Sequence, residues 1–335
     1  MGFHYRFGRG DLLRCRFAVS PRWETQEAVR TLLRPHRQAY HLPWLRRVRA
    51  AAAAEGLDLR PLWLLMPRTG HNPDFLSPPP PGPSVTFEEE LARVRAADPG
   101  LVREDLRRSL ACTPGALESD IGQHLLADPA RAVRELADLM ERAWRMLVAP
   151  DWPRLRALLE ADVLFHSRRL AAGGLQALFD GLHPDLRWHG DTDTLTIDRP
   201  GRHDRALAGQ GLLLMPSAFG WPEVVGGYDP PWQPTLVYPA RGIGALWAAT
   251  AGPAPDALAR LLGRARAEVL CALDEPASTT ALARRLGLAA STVSAHLGVL
   301  HAAGLLTSAR HGHQVLYERT PLAIALTSVS QTGDD

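Results

Sequence analysis

Ser278-Thr-Thr-Ala-Leu-Ala-Arg-Arg-Leu-Gly-Leu-Ala-Ala-Ser-Thr-Val-Ser-Ala-His-Leu-Gly-Val-Leu-His-Ala-Ala-Gly304 is the stretch from which the rest of the chain is read. Its pattern predicts two short helices broken at Gly287. Ser278 and Ser291 are each placed to cap a helix, because a serine hydroxyl accepts from the unpaired N–H groups of an opening turn. Gly287 and Gly304 stand where the helices should stop. Val293, Leu297 and Leu300 recur at spacings of four and three, which sets them on one buried stripe. Ser291, Thr292, Ser294 and His296 fall outside it. A helix that hides its aliphatic face and leaves small hydroxyls and an imidazole outside suits a DNA major groove, whose base edges offer donors and acceptors to such groups.

The next residues, Leu305-Leu-Thr-Ser-Ala-Arg-His-Gly-His-Gln-Val-Leu-Tyr-Glu-Arg319, alternate apolar and polar on either side of Arg310-His-Gly-His313. That is the pattern of a hairpin with a polar tip, which would form a wing. With capping, periodicity, glycine placement and wing in agreement, roughly the last seventy-five residues resemble the ArsR/SmtB family of bacterial winged-helix repressors. The resemblance implies a homodimer on a palindromic operator in double-stranded DNA, released when a signal binds. It places Ser291, Thr292, Ser294 and His296 against base edges or adjacent phosphates. Thr279 and Thr280 would meet the backbone at the entry of the preceding helix, and Arg310, His311 and His313 would follow phosphates from the wing.

Metal sensors of that family carry cysteine pairs on the helix before the recognition helix, or histidine and acid clusters on the last helix. Thr279-Thr-Ala-Leu-Ala-Arg-Arg-Leu286 and Pro321-Leu-Ala-Ile-Ala-Leu326 contain no such ligand. The expectation is therefore a regulator without the family's usual metal sites, with Cys271 as a small buried hydrophobe.

A length of 335 residues suggests two domains. The sequence has no Lys, so all 38 basic residues are Arg. The formal charge of +2 conceals an uneven spread. Residues 1–50 hold eleven Arg against three acids, a net of +8, and residues 258–320 hold seven Arg against four acids, a net of +3. The second excess fits phosphate contact; the first is read as solvated or internally paired arginine. Cys15, Cys112 and Cys271 lie far apart without CxxC pairing, which argues against a disulfide framework. Nothing resembles a signal peptide or a membrane span, so a cytoplasmic protein is expected.

The first 252 residues predict an α+β domain that is mainly helical with a small antiparallel sheet, and residues 256–328 the winged helix, with Gly252-Pro-Ala-Pro255 as the junction. Ser20 caps a helix that opens with Pro21 and stops before Pro35, with Val29, Leu32 and Leu33 as its buried face. A second helix is expected from Pro43 to Gly56. Pro78-Pro-Pro-Pro-Gly-Pro83 reads as a surface crossover. Helices follow at about 87–97, 100–111, 129–148 and 152–171, then strands at 3–7, 186–189, 194–197, 212–215 and 235–238. The segments Ser20-Pro-Arg-Trp-Glu24, His41-Leu-Pro-Trp44, Pro73-Asp-Phe-Leu76 and Tyr238-Pro-Ala-Arg-Gly242 resemble regions attached to ArsR-like domains in actinobacteria, a likeness that supplies no activity.

No catalytic pattern emerges: there is no GxSxG elbow, phosphate-cradling loop or HExxH helix, and Gly8-Arg-Gly10 and Gly242-Ile-Gly244 are too short to count. His183, His189, Asp191, Asp193 and His203 match no closed ligand spacing and read as solvated or hydrogen-bonded groups. Nine tryptophans, most of them in the first domain, fill cores or line an apolar cavity. No cofactor is implied. The expected molecule is a dimeric regulator whose first domain either binds an unknown small effector or serves only assembly; an enzyme fused to a DNA-binding domain is the more distant alternative.

Overall fold

The computed structural model describes residues 2–34, 39–67, 70–199, 203–220, 222–228, 230, 232–247, 256–311 and 314–329. The chain divides into two compact units, Met1–Arg34 with Arg47–Ala240, and Pro35–Arg46 with Arg241–Asp335. In chain order the elements are β1 (Phe3–Arg6), β2 (Arg16–Phe17), α1 (Pro21–Leu33), α2 (Leu42–Ala54), α3 (Arg60–Leu64), α4 (Phe87–Arg95), α5 (Pro99–Leu110), α6 (Asp120–Ala127), α7 (Pro129–Ala143) and α8 (Trp152–Leu182). Then come β3 (Leu186–His189), β4 (Thr194–Ile197), β5 (His203–Ala206), β6 (Leu213–Ser217), β7 (Val225–Gly227) and β8 (Thr235–Pro239). The last are α9 (Asp256–Leu262), α10 (Arg264–Ala272), β9 (Ala277–Ser278), α11 (Thr279–Leu286), α12 (Ala290–Ala302), β10 (Leu306–His311), β11 (Gln314–Arg319) and α13 (Pro321–Val329).

The first unit is α+β, as its residue pattern requires. Its helices start where side chains can accept: Ser20 from Trp23 N, Thr86 from Glu89 N in a reciprocal capping box, Asp98 from Gly100 and Leu101 N, and Asp128 from Arg131 N. Proline opens α1, α5 and α7 at the position where a missing N–H costs nothing. Ser119 caps α6, a helix absent from the sequence reading. Helix α8 outlasts its expected end at Ala171 and is broken instead at Gly173 and Gly174, the latter at φ +64°. Its stripe of Leu155 and Leu159 continues through Asp162 and His166, both buried, with the imidazole edge-on to Tyr238 at 5.6 Å.

The strands pair in a richer way than one antiparallel sheet. They form two mixed four-stranded sheets, β3-β4-β1-β5 and β2-β6-β8-β7. In the second, β6 runs parallel to both β2 and β8. Parallel pairs join segments distant in sequence, so neither turn chemistry nor hairpin spacing announces them. Tyr5, Leu195, Ile197, Leu214, Leu236 and Phe179 fill the core on which α8 closes. The N-terminal arginines are largely paired within this unit: Arg6 with Asp204, Arg30 with Glu27, Arg47 with Asp151, and Arg16 with Pro80 O and Gln233.

Helix α1 departs from its expected burial. Val29 is fully buried, but Leu33 is exposed, and the helix instead hides Arg22, Glu24, Thr25, Gln26 and Glu27. The apolar spacing found the helix and missed the polar side of its packing.

The second unit packs α10, α11 and α12 around Val269, Leu270, Leu273, Leu282, Val293, Leu297, Leu300 and Leu306, with the antiparallel sheet β10-β11-β9 alongside. An early piece of chain completes it. His41 lies edge-on to Trp44 and Trp247 at 6.2 and 5.9 Å, and Trp44 stacks on Trp247 at 6.4 Å. Gly242, at φ +79°, donates its N–H to Glu275 at 2.8 Å. A Cβ on Gly244 would fall 0.7 Å from Asp274 O, so only glycine fits. Gly242-Ile-Gly244, too short for a phosphate loop, is thus a docking turn.

Candidate nucleic-acid interface

The two helices that would meet DNA are set by their ends. Ser278 Oγ accepts from Ala281 N at 3.3 Å, and Gly287 closes α11 in the left-handed region at φ +65° while its N–H bonds Ala283 O. That conformation is open to glycine at little cost. At the start of α12 the expected cap is displaced: Ala289, not Ser291, occupies the N-cap position and makes no side-chain bond. Ser291 therefore lies inside the first turn, on the exposed face. Gly304, at φ +70°, follows the end of α12.

The stripe of Val293, Leu297 and Leu300 is buried in the core. On the other side Ser291, Thr292 and Ser294 are exposed. His296 is half-buried at the flank of the stripe, because its position on the helix lies nearer Val293 and Leu300 than the outward ridge. That ridge runs through Ser291, Ala295 and Gly298 at spacings of four and three, all exposed. A Cβ on Gly298 would meet no atom of the described residues within 4 Å. Ala295 and Gly298 escaped the sequence reading because they carry no reactive group, although the same helical spacing that found the stripe locates them.

Thr279 is half-buried and Thr280 exposed at the opening of α11. At its other end Arg284 is exposed, while Arg285 is drawn back to Asp274 and to Glu275 at 3.0 Å. Arg319 is buried and donates to Thr327 Oγ1 at 3.3 Å, and burial pulls its pKa down. Two arginines counted in the basic balance of this unit are therefore spent on its own structure.

Strands β10 and β11 pair from Leu306 with Arg319 to His311 with Gln314, so the wing is a hairpin in which Arg310 sits opposite Val315, exposed, one pair below the end of the described ladder. His313 lies outside the described residues, as does the side chain of His311. A third strand missed in the sequence, Ala277–Ser278, pairs with Tyr317 and Leu316 and ties the entry of α11 to the wing. Two residues are too few for an alternation signal.

Among the described residues no three or more His, Cys, Asp or Glu side chains are grouped to hold a metal ion. Cys271 is half-buried rather than enclosed, and burial raises its thiol pKa. His183 Nε2 donates to Pro222 O at 3.1 Å and its Nδ1 accepts from Asp185 N at 3.2 Å, a structural role. The side chain of His203 lies outside the described residues. No helix among the described residues is long and apolar enough to cross a membrane.

Comparison with known proteins agrees with this geometry. No curated protein and no solved structure matches the chain. Residues 105–244 match the model of a family of unknown function, DUF5937. Residues 261–309 match the model of a helix-turn-helix domain, and they take in α10, α11, α12 and the first four residues of β10. The chain thus carries a C-terminal helix-turn-helix domain, a type of domain that serves DNA-binding transcription regulation.

Proposed function

We propose that the protein is a dimeric, sequence-specific transcription regulator of ArsR type, acting as a repressor on a palindromic operator. The observation that carries this reading is the division of α12: Val293, Leu297 and Leu300 hold it to the core while Ser291, Thr292, Ser294, Ala295 and Gly298 face outward without bulk. Such a face lets a helix enter a major groove closely enough for short hydroxyls to meet base edges. Ser291, Thr292, Ser294 and His296 would read bases or the phosphates beside them, Thr279 and Thr280 would contact backbone, and Arg310, His311 and His313 would follow phosphates from the wing. Two such helices about 34 Å apart would meet successive major grooves. The family's usual metal boxes have no counterpart in Thr279–Leu286 or Pro321–Leu326, so any switch would come from the first unit.

The test is an operator library derived from genome-wide footprinting, with binding measured by fluorescence anisotropy. Arg310→Ala weakens binding on all sequences alike and lowers the salt slope by about one, as loss of one phosphate contact requires. Ser294→Ala changes which operator is preferred. Equal losses on every sequence for both variants would overturn this assignment of roles.

A further inference from the structure

The first turn of α1 holds a guanidinium whose best binding edge is unused. Arg22 is fully buried. Its Nη1 donates to Leu76 O at 2.9 Å, Ser77 Oγ at 3.1 Å and Gln26 Oε1 at 3.3 Å. Its backbone N–H donates to Glu90 Oε2 at 2.9 Å, and Glu90 Oε1 accepts from Ser20 Oγ at 2.7 Å. Among the described residues, Nε and Nη2 have no hydrogen-bond partner. These two nitrogens form the side edge of the guanidinium plane, where two parallel N–H groups match the two oxygens of a carboxylate. An arginine kept only to brace the loop at Leu76 would not leave that edge desolvated, because a buried unpaired charged donor is costly.

The surroundings point the same way. The hydroxyl of Tyr228 is also buried, without a partner among the described residues, and it lies within the electrostatic reach of Arg22. Its ring packs beside the cluster of Trp23, Leu213, Met215 and Val237. Tyr228 itself is held at φ +73°, a backbone conformation that a tyrosine rarely adopts. The place in the fold is also suited to a ligand. Helix α1 springs from β2, and its Glu24 accepts from Ala218 N at 3.0 Å, just past the carboxyl end of the parallel strand β6. The carboxyl ends of parallel strands, beside a helix N-terminus, are where sheets of this kind bind ligands.

We propose that the first unit binds a small molecule through its carboxylate, gripped side-on by Nε and Nη2 of Arg22 and accepting a further hydrogen bond from the hydroxyl of Tyr228. A singly charged carboxylate fits better than a dianionic phosphate, since Glu90 already offsets Arg22, and Asp74 and Glu27 add negative charge around Tyr228. Glu24 is pushed up to about 8 by burial, so at neutral pH it adds no further repulsion. The site is built from residues of the first unit alone and goes beyond the DNA-binding reading.

The test uses the full chain and no DNA. Thermal shift and titration calorimetry are run with sodium propionate, hexanoate, benzoate and phenylacetate, with the corresponding amides, and with inorganic phosphate. At least one carboxylate raises the midpoint in a dose-dependent way, while its amide and phosphate do not. Arg22→Lys, which keeps the charge and loses the fork, weakens that carboxylate at least about tenfold. Tyr228→Phe removes only an unpartnered hydroxyl, so it folds as the parent does, and it weakens binding by about fivefold to tenfold. Tyr228→Phe settles the matter even where Arg22→Lys does not fold. No shift with any carboxylate at millimolar concentration, a shift with phosphate alone, or parental affinity in Tyr228→Phe each overturns the proposal.

Discussion

Trp247 Nε1 donates a 2.8 Å hydrogen bond to Nδ1 of His41, which stands 206 positions earlier in the chain. His41 is fully buried, so its acceptor has no water to fall back on. Trp247→Phe keeps an aromatic ring against Trp44 and removes this buried hydrogen bond. It destabilises the second unit by about 1–3 kcal/mol, the usual range for losing one partner of a buried polar pair. Hydrogen exchange of the α12 amides reads this directly and separates the second unit from the first. Unchanged protection would mean that the His41 contact is incidental.

Two glycines of the same unit give opposite outcomes. Gly244→Ala places its Cβ on the backbone of Asp274, against main chain rather than a pliable side chain. It costs more than the roughly 1–3 kcal/mol of ordinary overpacking and lowers soluble yield. Gly298→Ala meets nothing within 4 Å in the middle of α12 and gains helix propensity, so it stabilises by about 0.5–1 kcal/mol. On the proposed face toward DNA the same methyl nonetheless lowers operator affinity. A Gly298→Ala protein that melts higher and binds as tightly as the parent would place the contact elsewhere on α12.

The pH dependence of stability follows from α1. Burial lifts the Glu24 carboxyl from its ordinary range to about 8, and Glu27 and Glu90 move in the same direction for the same reason. A carboxylate raised on folding binds its proton more tightly in the native state. Its stabilising share is therefore complete below the ordinary carboxylate pKa and is lost as pH rises toward about 8. For Glu24 alone the loss is on the order of 4 kcal/mol. Glu24→Gln removes that share of the slope, which urea midpoints between pH 5 and pH 8.5 would show as a flatter curve than the parent's.

The helix-turn-helix part of the molecule was largely legible in its residues because the signals are local. Ser278, Gly287, the stripe of Val293, Leu297 and Leu300, and the hairpin of the wing each depend on a few neighbouring positions, and the structure reproduces them, although burial along the wing strands does not alternate. Ser291 failed as a cap for a similarly local reason: α12 begins two residues earlier than its serine suggests, capped by Ala289, which makes no side-chain bond. What stayed hidden depends on distance. The parallel pairing of β2 with β6 joins residues nearly two hundred positions apart. Arg22, Glu24 and Gln26 have the composition of a solvated helix face, and only the arrival of Leu76, Ser77, Glu90 and Ala218 turns that face inward. The ridge of Ser291, Ala295 and Gly298 was computable from the helical period and was missed because small side chains attract no chemical attention.

The second unit is drawn from two separate stretches of the gene. Tyr40, His41 and Trp44 precede almost all of the first unit, and Gly242 and Gly244 precede α9. A C-terminal cassette starting at Asp256 would carry every expected DNA-contacting residue of α11, α12 and the wing. It would leave Asp274 and Glu275 without their glycine turn, and α13 without the short helical turn at Ala39–His41 that it packs on. Recombination at that junction would transplant the reading head without part of its foundation. A DNA-binding module moved intact to a new partner would have to carry Pro35–Arg46 as well as the chain from Arg241 onward.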